Sequence, residues 1–247
     1  MDRDGLEPHG FLSRNAIFLL YHEKFLWVKK LGCRYNGEDV APFPRLILAS
    51  SSPRRRELLR AVGVAYRVVP AGVEEVPAPD ETPLRFVRRA AREKGEDVAN
   101  RFPESFVLSA DTIVVASGKI LGKPKDRKDG ARMLWALAGR EHRVQTAVCL
   151  LRKRDGYRDE ACVTTRVWFR GLSRQEIAAY LRTGETADKA GAYAAQGKGN
   201  LLIDRIVGSY TNVVGLPMTQ VVEMLLRAKL IGVSRDGPGF YGFAGKG

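Results

Sequence analysis

Cysteine and histidine are scarce in this chain, and the scarcity excludes several classes of chemistry. Three cysteines (Cys33, Cys149 and Cys162), none in a close CxxC pair, exclude a disulfide framework and a zinc ribbon and read as reduced thiols in a cytoplasmic protein. Three histidines (His9, His22 and His142) lack metal-ligand spacing, and no serine–histidine–acid arrangement is readable locally. No apolar run reaches the ~20 residues of a membrane span. The nearest, residues 16–31, is interrupted by His22, Glu23, Lys24, Lys29 and Lys30. Acidic residues precede that stretch and no clean A-x-A-like site follows, so it is no signal peptide either. There is no internal repeat. Residues 237–242 spell G-x-G-x-x-G, but no strand precedes them and no helix follows. Residues 191–198 fail as a P-loop: five residues separate the glycines, and Gly199 stands where Ser or Thr should hold magnesium.

Acidic residues are also outnumbered. The chain of 247 residues has 41 Lys+Arg against 28 Asp+Glu, a formal net charge of +13. Residues 1–44 hold six of each sign, so the whole excess lies in 45–247. A basic body suggests an anionic ligand, either small phosphates or nucleic acid.

The chain divides into an N-terminal extension (1–44) that ends in Ala41-Pro42-Phe43-Pro44, a body (45–231), and a glycine-rich flexible tail (232–247). The stretch 17–31 reads either as a short docked helix or as sequence upstream of the true start codon. In the body, strands are expected at 45–49, 66–70, 106–116 (bent near Asp111), 143–151, 161–169 and 201–207. Helices are expected at 53–62, 83–101, 126–138, 173–181 and 217–231, with Ser52, Thr82, Asp126 and Ser173 as caps. The last helix carries Val221, Met224 and Leu225 on one face. This order points to an α/β fold with a mixed sheet.

The most informative segment is Leu48-Ala49-Ser50-Ser51-Ser52-Pro53-Arg54-Arg55. An apolar strand breaks into three serines, and proline then opens a helix. Such a turn gathers backbone N–H groups, hydroxyls and guanidinium groups at one point, which suits a phosphate. Asp111 follows an apolar run, and Glu74 and Glu75 follow a strand; carboxylates so placed suit a hard cation. Lys94 lies in the 83–101 helix, and Lys123 in the stiff turn Gly122-Lys123-Pro124. Carboxylates and cations with no histidine base suit metal-assisted phosphoryl chemistry.

From Leu46 to about Ile231 the chain resembles the Maf family of nucleoside triphosphate pyrophosphatases. The resemblance rests on ordered blocks: LASSSPRR (48–55), Glu57-Leu58-Leu59, Glu74-Glu75, AREK (91–94), ADTIV (110–114), GKP (122–124), Gly139 with His142, Val144 and Thr146, DKAGAY (188–193), Gln196-Gly197, Gly208-Ser209-Tyr210 and VVGLP (213–217). It implies an elongated mixed α/β sheet in two lobes with a deep nucleotide cleft between them. It also implies hydrolysis of a nucleoside triphosphate to the monophosphate and pyrophosphate with a divalent cation, Mg²⁺ or Mn²⁺, in a homodimer. Carried over, Asp111 is the general base and Glu75 supports the metal or the water, with Lys123 in the catalytic set. Ser50, Arg55, Lys94 and Lys123 hold the triphosphate. The family's pyrimidine branch, acting on dTTP and UTP, has Arg, Thr and Gln at three selectivity points, which are Arg54, Thr112 and Gln196 here. The branch acting on 7-methyl-GTP has Trp, Gln and Glu instead. One departure is Ala194-Ala195, where the family usually reads Gly-Ile; a left-handed φ at that glycine would strain Ala194. From charge alone, a second reading is a nucleic-acid-binding regulator of cell division. No zinc finger, RRM signature or basic zipper accompanies it.

Overall fold

The computed structural model describes residues 34–35, 38–39, 45–233 and 241–243. The chain forms two contact units, Met1–Phe43 and Pro44–Gly247. In the first, Arg34–Tyr35 (β1) pairs antiparallel with Glu38–Asp39 (β2). The helix expected within 17–31, with Cys33, His9 and His22, lies outside the described residues.

In the second unit, Leu46–Leu48 (β3) is buried throughout, and the helix Pro53–Arg60 (α1) follows. The Ser52 side chain accepts the Arg55 N–H, and Pro53 sits in the first turn, where no N–H is needed. Then come Arg67–Val68 (β4), Pro83–Arg101 (α2), Phe106–Ala116 (β5), Lys119–Leu121 (β6), Arg127–Leu137 (α3), Glu141–Arg152 (β7), Tyr157–Phe169 (β8) and Arg174–Arg182 (α4). Ile203–Val207 (β9), Tyr210–Val214 (α5) and Met218–Arg227 (α6) complete the body. Thr82, Asp126 and Ser173 cap α2, α3 and α4, and both bonds of the Ser173/Glu176 capping box are made.

The sheet order is β4-β3-β5-β7-β8-β9, with β6 also paired to β5. β3 runs parallel to β4 and β5, and the other pairs are antiparallel. This is the mixed open α/β sheet expected. β7 pairs with one edge of β5 from Val107 to Val115 with no register shift at Asp111. The opposite edge of β5 is divided. β3 pairs with Phe106–Leu108 and β6 with Val114–Ala116, so residues 109–113 have no strand there. Backbone groups in such a gap must find other partners.

The core follows the split. One apolar cluster joins β3, α1 and α6 to Phe106, Leu108 and Ala110; another joins α3, α4 and β8 to Val114. They are the cores of two lobes that share β5. Helix α2 crosses β5 and β7 closely because residue 95 is glycine. A Cβ there would stand 2.7 Å from Ser109 Oγ and 2.9 Å from a Leu151 methyl. Val221, Met224 and Leu225 of α6 are buried in the first cluster, so that face is core. Lys229, with φ of 53°, turns the chain out of α6 earlier than expected. Ile231–Val233 (β10) then pairs antiparallel with Tyr241–Phe243 (β11), within the segment read from sequence as a tail.

His142 is 2% exposed and packs edge-on against Phe169 and Tyr193, with Nε2 2.7 Å from the Tyr193 hydroxyl. Burial pulls its pKa down to about 4 against a weaker opposing pull from Glu141. Neutral in both states above pH 6.5, it costs nothing there. As pH falls below 6.5 the unfolded chain takes up the proton first, and stability is lost until the folded value is reached. The expected loss at pH 5 is about 2 kcal/mol. Urea titrations at pH 7 and pH 5 measure it, and His142→Gln should flatten the difference. An equal pH dependence in the variant would place the titrating group elsewhere.

Candidate active site

The gap on β5 opens into a cleft of about 900 Å³. Asp111 stands at its base, in the middle of the unpaired stretch, and is 3% exposed. The close approach at Gly95 brings its neighbour Lys94, 8% exposed, against the same stretch. Lys94 Nζ lies 2.7 Å from Asp111 Oδ1 and 2.7 Å from Glu75 Oε1, so one ammonium bridges two carboxylates. Burial alone would raise the Asp111 pKa. The Lys94 ammonium and the Arg55 guanidinium outweigh it and hold the carboxyl below the ordinary range, ionised at neutral pH.

The two adjacent arginines have different fates. Arg55 fills the gap in the sheet. Its Nη1 donates to Ala110 O at 2.8 Å and Ser50 Oγ at 3.3 Å, its Nη2 to Thr112 Oγ1 at 3.0 Å, and its Nε to Gly215 O at 2.8 Å. The guanidinium thus stands in for the missing strand and ties β5 to the turn after α5. Burial lowers its pKa, opposed by Asp111 and Glu75. Arg54, one residue earlier and about 100° round the helix, faces the cleft. Its pKa is lowered by burial and raised by Asp188 and Tyr180, and its Nε is buried without a partner. Thr112 continues the Arg55 network. Thr146 Oγ1 donates to Asn212 O at 2.9 Å, so the Thr112 hydroxyl at 3.0 Å donates to Thr146. Thr112 therefore has only acceptor capacity left for a ligand.

Ser50, Arg54, Arg55, Glu75, Lys94, Asp111, Thr112 and Lys123 all line this one cleft. Lys123 is exposed at the rim and makes no ion pair among the described residues. Gln196 is half-buried and lies just outside the lining, while its neighbours Ala194 and Ala195 form part of the wall. Ala194 is not among the left-handed residues; those near it are Gly191 (φ 68°), Ala192 (φ 60°) and Gly197 (φ 70°). Asp188, Lys189 and Tyr193 also line the cleft. They sit in the DKAGAY block, but nothing in the sequence pattern alone gave them a site role.

Two carboxylates converge at the base, and no group of three or more His, Cys, Asp or Glu able to hold a metal occurs among the described residues. That donor set fits Mg²⁺ or Mn²⁺ held by one or two carboxylates together with substrate phosphate oxygens, and does not fit an all-protein metal cage.

A cleft at a break in a mixed α/β sheet, with two carboxylates at its base and unpaired cations on its wall, defines a site for a phosphate-bearing ligand. The family model described as Maf-like protein matches residues 45–228, and the chain belongs to that family. Curated relatives include the dTTP/UTP pyrophosphatase of Syntrophomonas wolfei, 48% identical over 180 residues (73% of this chain, 95% of the relative). That of Geotalea uraniireducens is 50% identical over 183 residues (74% and 94%). The solved Ham1 protein of Staphylococcus aureus superposes with a TM-score of 0.43 at 14% identity, covering 74% of this chain and 96% of that one, a likeness too slight to build on. No helix among the described residues is long and apolar enough to cross a membrane.

Proposed function

We propose that this protein hydrolyses dTTP and UTP to the monophosphate and pyrophosphate. The supporting observation is that Asp111, Glu75, Lys94 and Lys123 share one cleft, in a chain about half identical to proteins named for that reaction. Water attacks the α-phosphorus, and the bond to the bridging oxygen on the β-phosphate side breaks. One water proton passes to a carboxylate oxygen of Asp111, and pyrophosphate leaves with the electron pair. Asp111 and Glu75 would hold a divalent cation, which on binding supplies charge neutralisation and a more acidic water. Lys94 keeps the two carboxylates together. Lys123, free at the rim, meets the charge that develops on the departing pyrophosphate. Arg54, Thr112 and Gln196 are assigned to the base. Thr112 offers an acceptor to the imide N–H of uracil or thymine, and the Gln196 amide offers both a donor and an acceptor. A cytoplasmic setting, suggested by the sparse unpaired cysteines, and a homodimeric assembly, implied by the family resemblance, belong to the same reading.

Pyrophosphate release from a panel of nucleotides with Mg²⁺ or Mn²⁺ tests it. Turnover of dTTP and UTP well above purine nucleotides is expected. Release from none of them would end the enzymatic reading, and preferred turnover of 7-methyl-GTP would end the pyrimidine assignment. In the same assay Lys123→Ala should lower kcat by about tenfold or more; an unchanged kcat removes Lys123 from the reaction.

A further inference from the structure

The wall that carries Ala194 and Ala195 is held from behind by two side chains that do not line the cleft. Tyr180, on α4 and 5% exposed, accepts the Ala194 N–H on its hydroxyl at 3.2 Å. Glu185, in the turn just after α4, accepts the Lys198 N–H on Oε1 and the Gly199 N–H on Oε2, each at 3.2 Å. Glu185 is itself anchored: its backbone N–H donates to Thr183 Oγ1, which donates to Tyr180 O at the helix end. The segment is packed with no room to spare. A Cβ on Gly199 would stand 2.1 Å from Ala194 O and 2.6 Å from the Tyr180 hydroxyl, and one on Gly197 would stand 3.0 Å from Glu185 Oε1. Residues 194–199 are therefore pinned near both ends to the end of α4.

We propose that Glu185 is a positioning residue for base recognition. By holding the N–H groups of Lys198 and Gly199, its carboxylate fixes where Ala194, Ala195 and Gln196 stand against the nucleotide base. The proposal rests on the reading of the cleft as a pyrimidine nucleotide site. The triphosphate end depends on Lys123 and the Asp111 carboxylate cluster, which Glu185 does not touch. Loosening the clamp should thus weaken binding of the base and leave binding of a bare triphosphate unchanged.

Equilibrium binding by calorimetry with no divalent cation added, so that dTTP is not consumed, and with dTTP, dATP and inorganic triphosphate as probes, separates the two ends. Glu185→Ala is expected to raise the Kd for dTTP about tenfold, consistent with loss of two charge-assisted hydrogen bonds, and to leave the Kd for inorganic triphosphate within about twofold. Preference for dTTP over dATP should shrink accordingly. Glu185→Gln keeps one acceptor and should fall between. If Glu185→Ala does not fold, Glu185→Gln and Tyr180→Phe carry the test. Parallel rises for dTTP and inorganic triphosphate, or no rise for either, would overturn the proposal, as would a parent protein that binds dTTP no better than inorganic triphosphate. Because binding is read directly, a parent protein that binds dTTP selectively without hydrolysing it would refute the proposed reaction and leave this proposal standing.

Discussion

Replacing Asp111 by asparagine should lower kcat for dTTP by about 10³-fold while the protein stays folded, a loss of the size seen when a positioned acid–base group is removed. The substitution is close to isosteric. Lys94 keeps its 2.7 Å contact with Glu75, so its ammonium is not left unpaired in the interior. The amide oxygen can still accept from Lys94, which limits the cost to a few degrees of thermal midpoint. What disappears is the negative charge, held ionised by Lys94 and Arg55 despite burial. Without it, the proposed acceptor of the water proton is lost, and of the two carboxylates available to a cation only Glu75 remains. kcat and KM measured separately, with circular dichroism as a control, check this. Retention of more than about a tenth of the parent kcat in a folded variant would show that the proton goes elsewhere, since such groups contribute at least ~10²-fold.

Much of this architecture is legible because it is local. Ser52-Pro53, Thr82-Pro83 and Ser173 with Glu176 announce helix starts through chemistry confined to four residues, and the starts of α1, α2 and α4 fall there. The apolar period of α2 places Val87, Ala91 and Val98 in the core. The gap beside Asp111 is not local. It arises because β3 ends at Leu48, opposite Leu108, while β6 ends at Leu121, opposite Val114, and both use the same edge of β5. No short window contains that relation. The same reason hides the difference between Arg54 and Arg55. As letters they are equivalent, and although both line the cleft, only the helical rotation places Arg55 among the acceptors of the sheet gap. Glu185 is invisible for a further reason: its partners are backbone N–H groups thirteen and fourteen residues away, and backbone donors leave no mark in a sequence pattern. The α6 apolar stripe was legible as a stripe, but whether it met core or partner depended on the Leu48–Leu108 surface it packs against.

Removal of the Arg55 side chain should cost more stability than any other single change at the cleft. In Arg55→Leu, Ala110 O and Gly215 O lose donors at 2.8 Å, and Thr112 Oγ1 and Ser50 Oγ lose one each. Two carbonyls left without partners at about 1–3 kcal/mol each give a loss of roughly 2–6 kcal/mol. For a domain of this size that is about 10 °C in thermal midpoint. Arg55→Lys should recover only part, because a single ammonium cannot reach four separated acceptors as a guanidinium does. Arg54→Leu is the contrast. Its buried Nε has no partner to lose, so stability should stay within about 1 kcal/mol of the parent while nucleotide affinity falls. Urea midpoints for the three variants decide between two roles for Arg55. If Arg55→Leu unfolds at the parent's midpoint and loses only nucleotide binding, the guanidinium is a phosphate ligand and the split in the sheet is bridged by something else. If it loses stability first, the cleft exists because an arginine holds open a place where a strand would otherwise close.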